Sequence, residues 1–345
     1  MTTTINTPLL FTITPSGPIT VITGANSGIG YESSTMFLRS GHSVILACRN
    51  KKAGNDAAKK MARSCVVPDS FVTCVQLDLA DLSSVKSFKT RLLKVAPEIQ
   101  QKGVNNLINN AGVGWGTQTI DRVETKDGFE SFFQVNYLGH YLLCKELMPL
   151  LVIGGNRTSL QSRIINVSSS LHDPDSKGNR KNTVKINLDD MNSSTEEPFS
   201  AKAAYCRSKL MQIMFTYELQ RRLRLHQLPI VCSCLNPGFI PSTGLIRNSG
   251  VMAKFFLRWC LGGLLRSCCL VTRTAEDGGF CIYLVTTQVE AGEGGQYFEY
   301  TRMKTLNAHS SSMDSYDQHL QAQLWKKSCQ LLSIPIDWVN TSSSL

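Results

Sequence analysis

The feature that most constrains this chain is an apolar strand that turns into a helix through three glycines. The strand is Pro18–Thr23, and the turn that follows it is Gly24-Ala25-Asn26-Ser27-Gly28-Ile29-Gly30. Gly24 suits a tight turn, Gly28 lets the backbone approach a phosphate, and Gly30 lets the helix pack closely on the strand. A pyrophosphate would then rest on the amino end of the helix. The spacing G-x-x-x-G-x-G differs from the dinucleotide fingerprint G-x-G-x-x-G, so a tight strand–helix turn without a ligand stays open.

The remainder of the chain alternates between strand-like and helix-like patterns. We predict strands near 43–47, 71–77, 104–108, 163–167, 229–235 and 296–300, and helices near 52–63, 83–95, 128–147, 205–225, 274–285 and 316–332. This alternation predicts an α/β fold, a Rossmann-type doubly wound parallel sheet of about seven strands in a single domain. The domain would span 18–305, with an inserted polar loop at 172–200 and a substrate cover at 239–271. An N-terminal extension, 1–17, and a C-terminal helix and tail, 306–345, would flank it.

Composition restricts the partners that the chain can have. Hydrophobic residues make up 42% and charged residues 18%, a balance that fits a globular protein with a sizeable core. The net charge of +10 comes from scattered Lys and Arg, so we expect no nucleic-acid partner. The basic, apolar segment 251–271 is too interrupted to span a membrane but permits peripheral membrane contact. Twelve cysteines without a repeated C-x-x-C pair, and six histidines without ligand spacing, predict no metal and a reducing compartment such as the cytoplasm.

Several residues at predicted strand ends suit a nucleotide. An acidic residue after the second strand would bind the ribose 2′-hydroxyl of NAD, but this chain has Arg49-Asn50, which suits the 2′-phosphate of NADP. A solvated basic turn is the alternative interpretation. Asp78, followed by Leu79, is placed to meet an adenine amino group. The run Asn109-Asn110-Ala111-Gly112 suggests backbone held close to a ligand, with ordinary turn chemistry as the rival explanation.

A second group of polar residues has the composition of a catalytic site. Tyr205 and Lys209 lie about one helical turn apart, so their side chains share a face. A nearby ammonium would lower the pKa of the phenol, ordinarily ~10, and make it a usable proton donor or acceptor. An isolated Y-x-x-x-K is more often a surface pair. Asn136 lies within a predicted apolar helix, and Ser168-Ser169-Ser170 follows a strand at the edge where ligands bind in such sheets.

Together these motifs resemble the short-chain dehydrogenase/reductase family. They occur in that family's order and cover roughly 18–300: Thr23-Gly24-Ala25-Asn26-Ser27-Gly28-Ile29-Gly30, Asn109-Asn110-Ala111-Gly112, Asn136, Ser169, Tyr205-x-x-x-Lys209 and Pro237-Gly238. Ala47-Cys48-Arg49-Asn50 and Asn166-Val167-Ser168-Ser169 resemble the retinol-dehydrogenase-like branch. The segment Asn236–Arg247, the long insert and Leu324–Ser328 resemble light-dependent protochlorophyllide reductases. That second group generally does not keep the catalytic serine, whereas Ser169 is present here.

The resemblance implies a role for each residue. Tyr205 would be the proton donor or acceptor, Lys209 would hold the nicotinamide ribose, and Ser169 would polarise the substrate carbonyl. Asn136 would hold a water that relays protons to Lys209, and Ser168 would face the other side of the strand. The implied NADP(H)-binding residues are Gly24, Asn26, Ser27, Gly28, Ile29, Gly30, Arg49, Asn50, Asp78, Leu79, Asn110, Ala111, Gly112, Tyr205, Lys209, Pro237, Gly238, Ser242 and Thr243.

The expected function is therefore an NADP(H)-dependent oxidoreductase that interconverts an alcohol and a carbonyl on a small apolar substrate, such as a retinoid, steroid or lipid aldehyde. One alternative is a light-dependent protochlorophyllide reductase. Another is a cofactor-binding scaffold without turnover, since a fold alone does not establish a function. The complete set Asn136, Ser169, Tyr205 and Lys209 argues against the scaffold, because a pure binder does not need all four.

Overall fold

An eight-stranded sheet forms the centre of the protein. The structure is a computed structural model that describes residues 17–114, 121–158, 160–176, 184–238, 240, 273–288, 294–300 and 306–340. The strands are β1 (Ile19–Thr23), β2 (Ser43–Cys48), β3 (Val72–Gln76), β4 (Asn106–Asn109), β5 (Ser162–Val167), β6 (Ile230–Asn236), β7 (Tyr297–Tyr300) and β8 (Leu306–His309). Their order is β3-β2-β1-β4-β5-β6-β7-β8, and every pair is parallel except β7 with β8.

Helices cover both faces of this sheet. They are α1 (Gly28–Arg39), α2 (Lys51–Cys65), α3 (Leu82–Lys86), α4 (Phe88–Val95), α5 (Ile99–Lys102), α6 (Gly139–Arg157), α7 (Ala201–Leu225), α8 (Ala275–Gln288) and α9 (Gln318–Leu332). The face covered by α1, α2 and α8 has its own apolar cluster, and the face covered by α4, α6 and α7 has a larger one. Both faces of the parallel strands are buried, which explains their continuous apolar runs. Within the described ranges no helix is long and apolar enough to cross a membrane.

The order of the strands creates a crevice at the carboxyl end of β1. The chain runs outward from β1 to β2 and β3, then returns to β4 on the other side of β1 and continues outward to β7. The loops that leave β1 and β4 therefore separate toward opposite faces, and ligands of open α/β sheets bind at such a switch point. The turn Gly24–Gly30 and the segment Asn110–Gly112 both open onto this edge.

The predicted doubly wound parallel sheet is confirmed, although several elements differ from the prediction; the helix predicted near 83–95, for example, is divided into α3 and α4. Strand β8 was not predicted because it has only four residues, two of them polar, and pairing with β7 stabilises it. The predicted helix 128–147 instead contains a π-helical turn, Phe133–Leu138, and continues as α6 to Arg157. Pro149 lies inside α6 and removes one helical hydrogen bond, but the buried residues after it keep the helix on the sheet.

Two predicted regions fall largely outside the described residues. The N-terminal extension before residue 17 is one, and the predicted cover 239–271 is the other, apart from Ile240. Ser242 and Thr243 lie in that cover, so their predicted contacts with the cofactor stay predictions. Of the inserted loop 172–200, residues 172–176 and 184–200 are described, and beyond the 3-10 turn that ends at His172 they contain neither helix nor strand.

The C-terminal helix α9 packs against α7, the helix that carries Tyr205 and Lys209. Trp325 of α9 stacks on Trp338, with ring centroids 5.0 Å apart, and its ring faces the guanidinium of Arg222 on α7 at 4.4 Å. Its indole N–H donates to the carbonyl of Ile336 at 2.8 Å. The tail after α9 thus folds back over the helix, and the aromatic contacts hold α7 from its outer side.

Trp325→Ala should lower the free energy of unfolding by about 3–5 kcal/mol, because it opens a cavity in this aromatic cluster. Urea denaturation measures the change. Leu331→Ala on the same helix is the matched control, since its side chain is 42% exposed and should change stability by less than about 0.5 kcal/mol. Equal losses of unfolding free energy in the two variants would contradict the burial of Trp325 in the aromatic cluster.

Candidate active site

The glycine turn after β1 has a backbone that only glycines adopt readily. Gly24 and Gly28 have φ of +66° and +58°, in the left-handed region. A Cβ on Gly24 would lie 3.0 Å from Ala111 Cα, and one on Gly30 would lie 2.6 Å from Gly24 O. The turn therefore packs directly against the backbone after β4 and exposes the amino end of α1. Asn26, Ser27 and Ile29 lie on this turn, at the place predicted for a pyrophosphate.

Thr23 joins the glycine turn to the loop after β4. Its hydroxyl oxygen accepts hydrogen bonds from the backbone amides of Asn110 at 3.0 Å and Ala111 at 2.9 Å. The side-chain amide of Asn110 in turn donates to Thr23 O at 2.8 Å. The predicted cofactor residues Asn110, Ala111 and Gly112 are thus held beside the turn, and the Asn110 side chain fixes the backbone.

The ends of β2 and β3 lie on the same edge. The Arg49 side chain is exposed and pairs with no carboxylate among the described residues. Asn50 caps α2, because its side-chain oxygen accepts from Ala53 N at 3.0 Å. Asp78 uses one carboxylate oxygen to accept from Ala80 N, and the carbonyl of Leu79 accepts from the Gln134 side chain. Of these four predicted residues, Arg49 keeps the most freedom to meet an anion.

Tyr205 and Ser169 come together at the carboxyl end of β5. Tyr205 is 5% exposed, and its hydroxyl forms a hydrogen bond with the Ser169 side chain. Burial raises the pKa of Tyr205 above its ordinary value, and the bond with Ser169 offsets only part of that rise. Ser168 points elsewhere, as expected from strand alternation, and its hydroxyl donates to Lys209 O at 3.0 Å.

Lys209 lies behind Tyr205 with its ammonium buried. The nitrogen Nζ donates to Val167 O and to Gln212 Oε1, both at 2.9 Å, and lies 5.7 Å from the centroid of the Tyr205 ring. Burial lowers the pKa of Lys209 to about 7. The expected lowering of the Tyr205 pKa by this ammonium is not seen, because the ammonium is turned toward its two acceptors and burial dominates the phenol.

Asn136 holds backbone and side chains together. Its side chain accepts from Val113 N at 2.8 Å and donates to Val113 O and to Ser208 Oγ. Its main-chain carbonyl accepts from Gln212 Nε2 at 2.7 Å. The Gln212 side chain therefore links Asn136 to Lys209, and the predicted water on Asn136 stays a prediction.

The loop after β6 closes the edge of the site. Gly238 has φ of +86°, and its amide donates to Asn236 Oδ1 at 3.1 Å. The Arg273 side chain packs on Gly238 and donates to Pro237 O at 3.3 Å. Pro237 and Gly238 thus lie just after β6 at the carboxyl edge of the sheet, and their contact with the nicotinamide end stays a prediction.

Sequence reasoning missed Gln212 and His140 as parts of the site. Gln212 lies three residues after Lys209, on the same helical face, and a buried ammonium needs an acceptor of this kind. His140 lies four residues after Asn136 and its ring contacts the Asn136 carbonyl at 3.1 Å. Both spacings are visible in the sequence, but nothing in it shows that the two helices face each other.

The described residues fit a dinucleotide. The glycine turn leaves no room for side chains, the amino end of α1 opens onto the edge, and a Cβ on Gly112 would lie 3.7 Å from Lys209 Nζ. A ligand passing Gly112 would therefore reach the ammonium and the Tyr205 hydroxyl beyond it. Over the same residues, no group of three or more His, Cys, Asp or Glu side chains is arranged to hold a metal ion.

Comparison with known proteins agrees with this geometry. Residues 18–178 match the model of the short chain dehydrogenase family. Human retinol dehydrogenase 13 is 32% identical over 92% of this chain and 85% of its own length, and human polyprenol dehydrogenase is 30% identical over the same shares. The crystal structure of an uncharacterised protein from Mycobacterium paratuberculosis is 29% identical, covers 92% of this chain and 94% of its own, and has a TM-score of 0.67.

The buried ammonium predicts a specific dependence of stability on pH. The pKa of Lys209 is about 7 in the folded protein, whereas an unfolded lysine has a pKa of about 10.4. Between these values the unfolded chain binds a proton that the folded chain does not, so this group makes the free energy of unfolding rise with pH. Relative to Lys209→Met, the wild type should gain about 2 kcal/mol between about pH 7 and pH 9.

Urea denaturation of both proteins across this pH range tests the prediction. Because the other titrating groups are common to the two proteins, their effects cancel in the difference. Two curves that stay parallel would show that the ammonium is not held in a desolvated site.

Proposed function

This chain belongs to the short-chain dehydrogenase family, and on that premise we propose that it uses NADP(H) to interconvert an alcohol and a carbonyl group. The proposed substrates are apolar molecules such as retinoids, steroids or lipid aldehydes. Oxidoreductase chemistry follows from the family, and the cofactor and the substrate class are the parts that need their own support.

One observation carries the proposal. The Tyr205 hydroxyl is hydrogen-bonded to Ser169 at the carboxyl edge of the sheet, with the ammonium of Lys209 behind the same ring. Ser169 follows β5, Tyr205 and Lys209 lie on α7, and a Cβ on Gly112 would lie 3.7 Å from Lys209 Nζ. A substrate oxygen that met both hydroxyls would lie next to the path proposed for the cofactor, which is the arrangement that proton transfer requires.

In the direction of reduction, Tyr205 donates its hydroxyl proton to the substrate carbonyl oxygen, and Ser169 donates a hydrogen bond to the same oxygen. The nicotinamide cofactor, when bound, supplies the hydride that reaches the carbonyl carbon. Burial raises the pKa of Tyr205, so the phenol carries its proton at neutral pH. This is the form that reduction uses, and Lys209 would stabilise the phenolate left after transfer.

The basic residue at the end of β2 supports NADP(H). Arg49 occupies the position at which an acidic residue would bind the 2′-hydroxyl of NAD. Its exposed guanidinium can donate two parallel hydrogen bonds to a phosphate. The glycine turn and the amino end of α1 would hold the pyrophosphate, and Lys209 would hold the nicotinamide ribose.

The two named relatives support an apolar substrate. They are named retinol dehydrogenase 13 and polyprenol dehydrogenase, and both names refer to apolar alcohols. Each aligns over more than nine-tenths of this chain, so the alignment includes the residues around the site.

Tyr205→Phe should lower kcat by about 10²–10⁴-fold, because it removes the proton donor and keeps the ring. Binding of NADPH should change little. Steady-state kinetics with retinoid, steroid and aldehyde substrates measure the loss, and Tyr217→Phe on the same helix is the control, since its hydroxyl bonds to Ser311 instead. Turnover only under illumination would favour protochlorophyllide reduction, and cofactor binding without turnover would favour a scaffold.

Arg49→Ala should weaken NADPH binding by about tenfold to a hundredfold and leave NADH binding unchanged, because only NADPH carries the 2′-phosphate. Fluorescence titration of both cofactors measures the two dissociation constants. Arg63→Ala removes an exposed cation near the far end of α2 and serves as the control for net charge. Equal affinity of the wild type for the two cofactors would overturn the assignment of NADP(H).

A further inference from the structure

The ammonium of Lys209 has two acceptors inside the protein, and their directions fix the position of the group. An ammonium can only donate, so Gln212 must present its carbonyl oxygen, Oε1, to Nζ. The other end of the same amide, Nε2, then donates to the main-chain carbonyl of Asn136. Each of these bonds pairs a donor with an acceptor, and the Gln212 side chain is 1% exposed.

The Asn136 carbonyl is itself anchored from the opposite side. His140 Nδ1 lies 3.1 Å from Asn136 O, and His140 Nε2 lies 3.0 Å from Thr23 Oγ1. With the proton on Nδ1, the ring donates to Asn136 and accepts the Thr23 hydroxyl proton. The Thr23 oxygen already accepts from the amides of Asn110 and Ala111. A single chain of hydrogen bonds therefore runs from Lys209 to the backbone of the predicted cofactor loop.

We propose that Gln212 is the positioning residue of Lys209, holding the ammonium beside Gly112 through a link that ends on the Asn136 carbonyl. This inference rests on the proposed function and adds to it a residue that acts on the ribose-binding cation. Lys209 has a third proton, and the two bonds to Val167 and Gln212 leave it for a ligand at Gly112. Gln212 decides where that proton points.

The surroundings of the ammonium make the effect of Gln212 measurable. The titratable side chains near it are Tyr205 on its own helix and His140 on α6. Burial raises the pKa of Tyr205 and lowers that of His140 to about 4, so both are uncharged at neutral pH. The other facing groups are the carbonyl of Val167 on β5 and the Gly112 backbone. Among the described residues, the charge state of Lys209 therefore depends on burial and on its acceptors.

Two nearly isosteric substitutions should move the pKa of Lys209 in opposite directions. Gln212→Glu places a carboxylate at the ammonium and should raise the pKa of Lys209 by about 1–3 units. Gln212→Met removes the acceptor and should lower that pKa further. With its position no longer fixed, Gln212→Met should also lose about tenfold to a hundredfold in kcat.

The experiment measures the pKa of Lys209 without any cofactor, from the pH dependence of urea unfolding of each variant relative to the same variant carrying Lys209→Met. The pH profile of kcat/KM with NADPH is measured in parallel. The matched control is Gln220→Met, which removes another buried glutamine of α7 whose amide oxygen bonds to Cys232 N. This variant should be less stable than the wild type, but the pH midpoints of its Lys209 titration and of its kcat/KM profile should be unchanged.

Opposite shifts of the Lys209 pKa in the two Gln212 variants, with no shift in Gln220→Met, would support the inference. Unmoved midpoints in an enzyme that turns over NADPH would overturn it and leave the proposed function intact. A wild type that binds neither NADPH nor NADH would overturn the proposed function, while the unfolding midpoints would still decide whether Gln212 sets the pKa of Lys209.

Discussion

A buried ammonium is the constraint on which the rest of this site depends. Removing a charge from water costs several kcal/mol unless hydrogen-bond acceptors replace the water. In this protein the acceptors are a strand carbonyl, Val167 O, and a side-chain amide, Gln212 Oε1, and both are fixed by elements of the core. The packing of α7 on β5 therefore sets the position of Lys209, and the long apolar face of α7 stabilises that packing.

The π-helical turn before α6 has a physical role in this arrangement. A π turn moves backbone hydrogen bonds to the residue five positions on and widens the helix locally, and such turns are frequent at functional sites. Asn136 lies in the turn Phe133–Leu138, and its carbonyl accepts from Gln212 of α7 and contacts His140. A carbonyl inside a regular helix points along the axis toward its own chain. At Asn136 the carbonyl instead serves two neighbouring side chains.

The sequence predicted the fold well because its signals are local. Apolar runs, the glycine turn and the spacing of Tyr205 and Lys209 each depend on residues close together in the chain, and the observed elements agree with them. The site was predicted less completely. Whether Gln212 meets Asn136 depends on the distance between the two helical segments that carry them, and these residues are 76 positions apart along the chain. No periodicity records that distance, so only the structure could show that Gln212 lies between Asn136 and Lys209.

The same hydrogen bonds explain why the Lys209 ammonium does not by itself lower the pKa of the Tyr205 phenol. An ion pair of Lys209 with the Tyr205 oxygen would have to use the third Nζ proton, because Val167 and Gln212 hold the other two. The protein instead keeps the ammonium beside the ring and turns the Tyr205 hydroxyl to Ser169. A ligand that met both the third Nζ proton and the Tyr205 hydroxyl would couple the two groups.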